Sequence, residues 1–187
     1  MIPIKNKKKN LEVTVEEMRN FAFNYIEKFA PSKQQLKTYL LKKYLKSKIP
    51  SVKKSNVKDL IDIVIEDLEK SKFINDMFYS ESKAKSLIQR GSSINKIRSY
   101  LFNKGVGEKY IKNTIEKIQN NNEDQDFFSA IKICKKKRIG PSREESNRPL
   151  FYKKDIGILA RSGFSFEVSR IVMELEKNEY LKIINLL

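Results

Sequence analysis

A glycine helix stop occurs twice in this chain of 187 residues, at Lys104-Gly105-Val106-Gly107 and at Ser162-Gly163-Phe164-Ser165, each time between two apolar helical stretches. Leu101 and Leu159 stand four residues before the two glycines, and Tyr110 and Val168 stand five residues after them. One offset of 58 residues relates all three pairs. A glycine just past a helix, followed by an apolar residue, supplies the left-handed residue that closes the helix without Cβ strain. Two such stops in one register predict a repeated helical unit whose apolar face is buried by its neighbours.

The repetition reaches further. Leu60, Ile61, Val64, Ile65 and Leu68 recur as Tyr110, Ile111, Thr114, Ile115 and Ile118, at an offset of 50 residues. The first unit opens with a capping box, Thr14 to Glu17, and a helix in which Val15, Met18, Phe21, Ala22, Tyr25, Ile26 and Phe29 recur at three and four. Pro31 ends it, and Ser32 with Gln35 forms a second capping box. The following helix has apolar residues on more than one face (Leu36, Tyr39, Leu40, Leu41, Tyr44, Leu45), so it is expected to pack against two neighbours. A third helix carries the Leu60 to Leu68 stripe.

In the second unit a helix from about Asn75 to Arg90, with Phe78, Ala84, Leu87 and Ile88, is stopped by Gly91. Ser92 or Ser93 caps the next helix, with Ile94, Ile97, Tyr100 and Leu101. The third unit has Phe127, Ala130, Ile131 and Cys134 on one helix, a loop from Gly140 to Pro149, and a helix with Ile156, Leu159 and Ala160. Ser165 caps a last helix with Val168, Ile171, Val172 and Leu175, and the tail from Tyr180 to Leu187 suits a short helix or docking on that unit. No stretch alternates with period two. The expected fold is all-α, an elongated curved array of three tandem three-helix repeats: a basic arm at 1–13, then repeats at 14–72, 73–120 and 121–187, the last with the tail.

Charge sets the class of partner. Lys plus Arg number 39 against 23 Asp plus Glu, a formal net charge of +16, which draws a chain to polyanions. Histidine is absent, which removes the commonest general base and the commonest metal ligand. The lone Cys134 excludes an intrachain disulfide and a Cys/His zinc site. No phosphate-binding glycine loop or nucleophile elbow is present. No apolar run approaches the ~20 residues of a membrane span. These features imply a cytoplasmic, non-enzymatic protein, a monomer without cofactor or metal.

Three segments resemble the RecX family of recombinase modulators. Ile65 through Asp76 resembles that family's helix end leading into a Leu-Asp-Asp turn, with Ile74 and Asn75 in place of the commoner Leu and Asp. Ser93 through Val106 resembles its stretch ending in Leu-x-x-Lys-Gly-Val, and Leu159 through Val168 its C-terminal signature, with Ser162 where an Arg is usual. The resemblance covers roughly residues 18 to 176. It implies a protein that binds the RecA recombinase, inserts into the groove of its filament on single-stranded DNA and restrains it, without catalysis. The rival reading is a DNA-binding protein that acts on duplex DNA independently of RecA.

Candidate contact residues follow from charge and helical position. Lys96 faces away from the Ile94/Ile97/Leu101 stripe and Phe102 lies at the edge of that outer face, with Lys104 beyond it. Arg90 and Arg98 flank the same helix, and as cations near its start they gain nothing from its dipole. The densest cluster is Lys135, Lys136, Lys137 and Arg138, followed by Arg143 and Arg148. The bland reading of each is a solvated helix face or end. Lys48, Lys53 and Lys54 make another basic loop, and Lys5, Lys7, Lys8 and Lys9 a basic arm. Asp59, Asp62, Glu66 and Glu69 form an acidic stripe, expected to be solvated.

Overall fold

The structure, a computed structural model, describes residues 11–46 and 56–187. The arm lysines and the loop lysines Lys48, Lys53 and Lys54 lie outside the described residues. Ten α-helices and no strand are found among the described residues: α1 Val15–Phe29, α2 Lys33–Leu45, α3 Val57–Lys70, α4 Asp76–Gln89, α5 Ile94–Asn103, α6 Glu108–Asn121, α7 Gln125–Lys137, α8 Arg148–Arg161, α9 Phe166–Glu174 and α10 Lys177–Leu186. The chain is all-α, as expected. It divides into two compact units, Met1–Tyr79 and Ser80–Leu187, so the division falls within α4.

In the first unit, α1, α2 and α3 enclose Met18, Ala22, Leu36, Leu40, Tyr44, Ile61, Val64 and Leu68. Tyr25 stacks on Tyr39, and Phe21 meets Tyr44 edge to face. Leu36, Leu40 and Tyr44 of α2 are buried while Tyr39 and Leu41 are half-buried, as its broad apolar face predicts. The Ser32/Gln35 capping box is complete, with both hydrogen bonds present. At Thr14 only half of one forms. The threonine hydroxyl accepts from the Glu17 amide, and the Glu17 carboxylate turns inward to accept from the Tyr44 hydroxyl at 3.3 Å.

The acidic stripe of α3 is not merely solvated. Within it Glu69 pairs with Lys33 of α2 at 2.5 Å and Asp62 with Lys37, and Asp67, outside the stripe, pairs with Arg19 of α1 at 2.6 Å. These pairs draw on cations of neighbouring helices, which a reading of α3 alone does not reveal. Phe29 and Phe78, expected in the apolar stripes, lie half or more exposed, Phe78 at 70%. Both stand at helix ends, where the packed face has run out.

In the second unit, the core holds Ala130, Ile131, Cys134, Leu159, Phe164, Val172, Met173 and Tyr180. Ile97, Leu101, Ile111 and Ile115 are buried on α5 and α6. Burial pushes the Cys134 thiol up to about 12, so it is not a thiolate at neutral pH. The tail forms α10, whose Tyr180 is buried and whose Ile183 and Ile184 pack on this core. The stretch from Gly140 to Pro149 contains two short 3₁₀ turns, and α8 already begins at Arg148, with Pro149 in its first turn.

Gly105 and Gly163 both take the left-handed conformation, at φ 72° and 89°, as does Gly91 at 79°. Each stop carries the same pair of bonds. Val106 N–H reaches Leu101 O, Phe164 N–H reaches Leu159 O, and Ser92 N–H reaches Leu87 O. Two further stops escape sequence reading because no glycine marks them. Lys72 at φ 60° and Arg138 at φ 54° hold the same position, with Phe73 N–H on Leu68 O and Ile139 N–H on Cys134 O. A side chain in this region carries strain. Lys72→Gly and Arg138→Gly are therefore each expected to gain roughly 0.5–1 kcal/mol, read by denaturant midpoint. Gly163→Ala is expected to lose about 2 kcal/mol, because its Cβ would also stand 2.5 Å from the Ser93 hydroxyl. A neutral result for Gly163→Ala, or losses for the two glycine replacements, would refute this account of the stops.

One capping device occurs in both units. Asp76, in the first turn of α4, accepts from Lys33 N–H at the start of α2 at 2.8 Å. Asp126, 50 residues later, accepts from Ile94 N–H at the start of α5, also at 2.8 Å. Asp76 is the final residue of the turn that carried the first family resemblance, and its neighbour Asn75 caps α4 itself through Met77 and Phe78 N–H. Burial raises both aspartate carboxyls, against the opposing pull of the amides they accept from.

Candidate nucleic-acid interface

Exposed cations of the second unit, several of them predicted from the sequence, stand on two surfaces. On the first, the turn at Gly91 packs directly on α7. A Cβ at Gly91 would lie 3.0 Å from Lys132 Cβ and 3.0 Å from Ser129 O. Glycine is thus required there for space as well as for φ. The close approach sets exposed Arg90 beside the α7 row that continues, one turn on, to Lys136. Lys135, Lys136, Lys137 and Arg138 are all exposed at the end of α7. Their charge suits that helix terminus, which accounts for their tolerance but not for their number.

The second surface lies where α5 begins. Ser93 Oγ accepts from Lys96 N–H and donates to Ser162 O at 2.9 Å, and Asn95 Nδ2 donates to Gly163 O at 3.2 Å. Ser93, not Ser92, is the cap. These bonds seat exposed Lys96 against the α8–α9 turn. Exposed Arg161 lies back along α8 over Gly157, and Phe166 stands 68% exposed at the first position of α9. Within the Phe-Ser-Phe signature the two aromatics therefore part, Phe164 into the core and Phe166 into solvent.

The remaining predicted residues of α5 are partly engaged. Arg98 pairs with Glu108 at 3.7 Å, an exposed and weak pair. Lys104 lies over the Tyr100 ring at 5.3 Å, half-buried. Phe102 is 69% exposed, on the outer face as expected. An exposed aromatic among cations offers a stacking platform for an unpaired base.

Arg143 has an internal task. Its Nε and Nη2 donate to the two oxygens of Asp155 at 2.6 and 2.9 Å, and Gly140 N–H donates to the same carboxylate at 2.8 Å. Asp155 is fully buried, and the Arg143 guanidinium also lies 4.4 Å from the Phe151 ring centre. Arg148 donates to Met173 O and Leu175 O at the end of α9, and Lys177 to Pro141 O and Arg143 O. Three cations thus fasten the segment that follows the basic end of α7. Sequence reading missed Lys132, Arg161 and Phe166. Lys132 was legible as the residue one turn before Lys136, and Phe166 as the second aromatic of the signature.

Among the described residues no group of His, Cys, Asp and Glu could hold a metal ion, and no helix is long and apolar enough to cross a membrane.

No protein-family model matches the chain. It is 29% identical over 174 residues to a regulatory protein RecX of Myxococcus xanthus, covering 89% of each chain. A regulatory protein RecX of Clostridium perfringens is 29% identical over 147 residues, covering 78% of this chain and 66% of the relative. The fold is similar to a crystal structure of regulatory protein RecX, with a TM-score of 0.60 at 18% identity, over 86% of this chain and 74% of that one.

Proposed function

This chain belongs to the RecX family, and on that premise we propose that it docks on the RecA filament assembled on single-stranded DNA and restrains it. The observation that carries the reading is the surplus of exposed, unmatched cations in the second unit, densest at the end of α7. In the first, Arg19, Lys33 and Lys37 are matched by carboxylates, while exposed Lys42, Lys46, Lys58 and Lys72 form no run. In the second, Arg90, Lys96, Lys135, Lys136 and Lys137 are exposed and matched by none among the described residues. Unmatched exposed cations displace condensed counterions when they bind phosphate, and that release drives most of the affinity for a polyanion. Arg143 serves the surface at second hand, holding the segment beyond Arg138 in place.

A titration tests this. Added at a small fraction of the RecA concentration, the protein is expected to depress DNA-dependent ATP hydrolysis and strand exchange. It is also expected to bind the filament more tightly than naked single strands, because contacts with the recombinase add to the attraction of phosphate. Equal affinity for both, with the same salt slope and untouched ATP hydrolysis, would favour the rival DNA binder.

A further inference from the structure

Between α4 and α6 the second unit holds an open cleft of about 590 Å³. Its place in the sequence is informative. The ion pair Arg19–Asp67 joins α1 to α3, and Glu81–Lys117 joins α4 to α6 with the signs exchanged. Aligned on these pairs, Ala22 and Ile26 of α1 match Ala84 and Ile88 of α4, while Met18 becomes Ser80 and Val64 becomes Thr114. Met18 and Val64 are fully buried in the first unit. Shorter or polar side chains replace both in the second, and Ile88 and Ile118 are left half-buried along the cleft.

The cleft is more than missing volume. Thr114 lines it, 2% exposed, and its hydroxyl has no hydrogen-bond partner among the described residues. A buried hydroxyl without a partner is a standing cost that a valine would remove. Ala84, Ile88 and Ile118 give aliphatic walls. Gln89, Asn121, Asn122 and Gln125 supply carboxamides, and Lys85 lines the cleft together with the Glu81–Lys117 pair. Gln125 donates its amide to Ser129, which leaves its carbonyl free to accept.

We propose that this cleft takes a single unstacked base of a single-stranded nucleic acid. Carboxamides match the donor–acceptor edges of bases, aliphatic walls match their faces, and exposed Lys85 matches the adjoining phosphate. The volume accommodates a base with its sugar. A protein side chain would use the walls but has no need of four carboxamides. The inference rests on the polyanion reading of the preceding subsection and adds the base site.

The chain has no tryptophan, so 2-aminopurine within a single-stranded oligonucleotide reports without a competing signal. Full-length protein is expected to raise its emission about threefold or more, because a base withdrawn from its neighbours and held by aliphatic walls escapes stacking quenching. Ala84→Phe, which fills the cleft, is expected to abolish the rise and leave the salt dependence of binding in place. Gln89→Ala with Asn121→Ala changes only exposed positions, so folding is secure, and the rise is expected to fall by at least half. Thr114→Val is expected to raise the melting temperature and weaken the rise. Binding without any rise, or a full rise in Ala84→Phe, would overturn the base site alone. If Ala84→Phe abolished filament docking and kept the rise, the cleft would be a protein pocket and the inference wrong. No oligonucleotide binding at low salt would remove the polyanion reading as well.

Discussion

Asp155→Ala is expected to cost about 3 kcal/mol or more in denaturant-induced unfolding of the full chain. The carboxylate is fully buried and accepts three hydrogen bonds, two from the Arg143 fork and one from Gly140 N–H. Truncation leaves a buried amide without an acceptor and a guanidinium without its counter-charge. Arg143→Lys is expected to recover only part of the loss, since an ammonium cannot reproduce the bidentate fork. A small effect of Asp155→Ala, within about 0.5 kcal/mol, would mean that this clamp does not hold α8 to the segment that follows α7.

The same carboxylate sets a pH dependence. Burial alone would push it up, but the Arg143 hydrogen bonds, the Gly140 amide and the Arg143 charge outweigh burial and hold it below the usual carboxylate range. A group depressed on folding stabilises the fold above its unfolded value of about 3.9 and loses that contribution as pH falls through the lower folded value. Asp76 and Asp126 have the opposite sign, because burial raises them. Their ionisation weakens the fold as pH rises through their folded values. The loss of stability on acidification below about pH 4 is therefore expected to shrink in Asp155→Asn and to survive in Asp126→Asn, measured as denaturant midpoint against pH.

Much of the helical frame was legible because its signals are local. The Ser32/Gln35 box, the Ser165 cap and the glycine stops each fix a helix end through neighbours within six residues, and each stands in the structure where the sequence puts it; of Ser92 and Ser93, which the sequence leaves open, Ser93 is the cap. The stops at Lys72 and Arg138 were not legible, since nothing local marks a strained non-glycine residue. Arg143 illustrates the limit for the site. In sequence it continues a run of cations, yet its partner Asp155 is twelve residues on, across one 3₁₀ turn and the first two turns of α8. Charge runs announce an excess of cations; which of them remain unpaired is decided by long-range packing. The acidic stripe of α3 makes the same point, for Asp62 and Glu69 find their partners on α2.

That distinction gives the sharpest functional experiment. Reversing Lys96, Lys135, Lys136 and Lys137 to Glu is expected to weaken binding to the RecA filament and to single-stranded DNA on the order of 100-fold or more at moderate salt. All four are exposed and make no ion pair among the described residues, so the fold and its helical circular dichroism are expected to persist. Each phosphate no longer neutralised should flatten the log–log salt slope by about 0.7 on single strands, so the slope separates local phosphate neutralisation from a general change of net charge. Lys33→Gln with Lys37→Gln removes two positive charges that Glu69 and Asp62 already match. Its binding is expected to change less than about threefold, with an unaltered slope. If the paired lysines mattered as much as the unpaired ones, affinity would follow total charge alone, and the two surfaces on the second unit would lose their claim to be the interface. If only the filament affinity fell, with naked-strand binding intact, the four lysines would be touching acidic recombinase rather than phosphate.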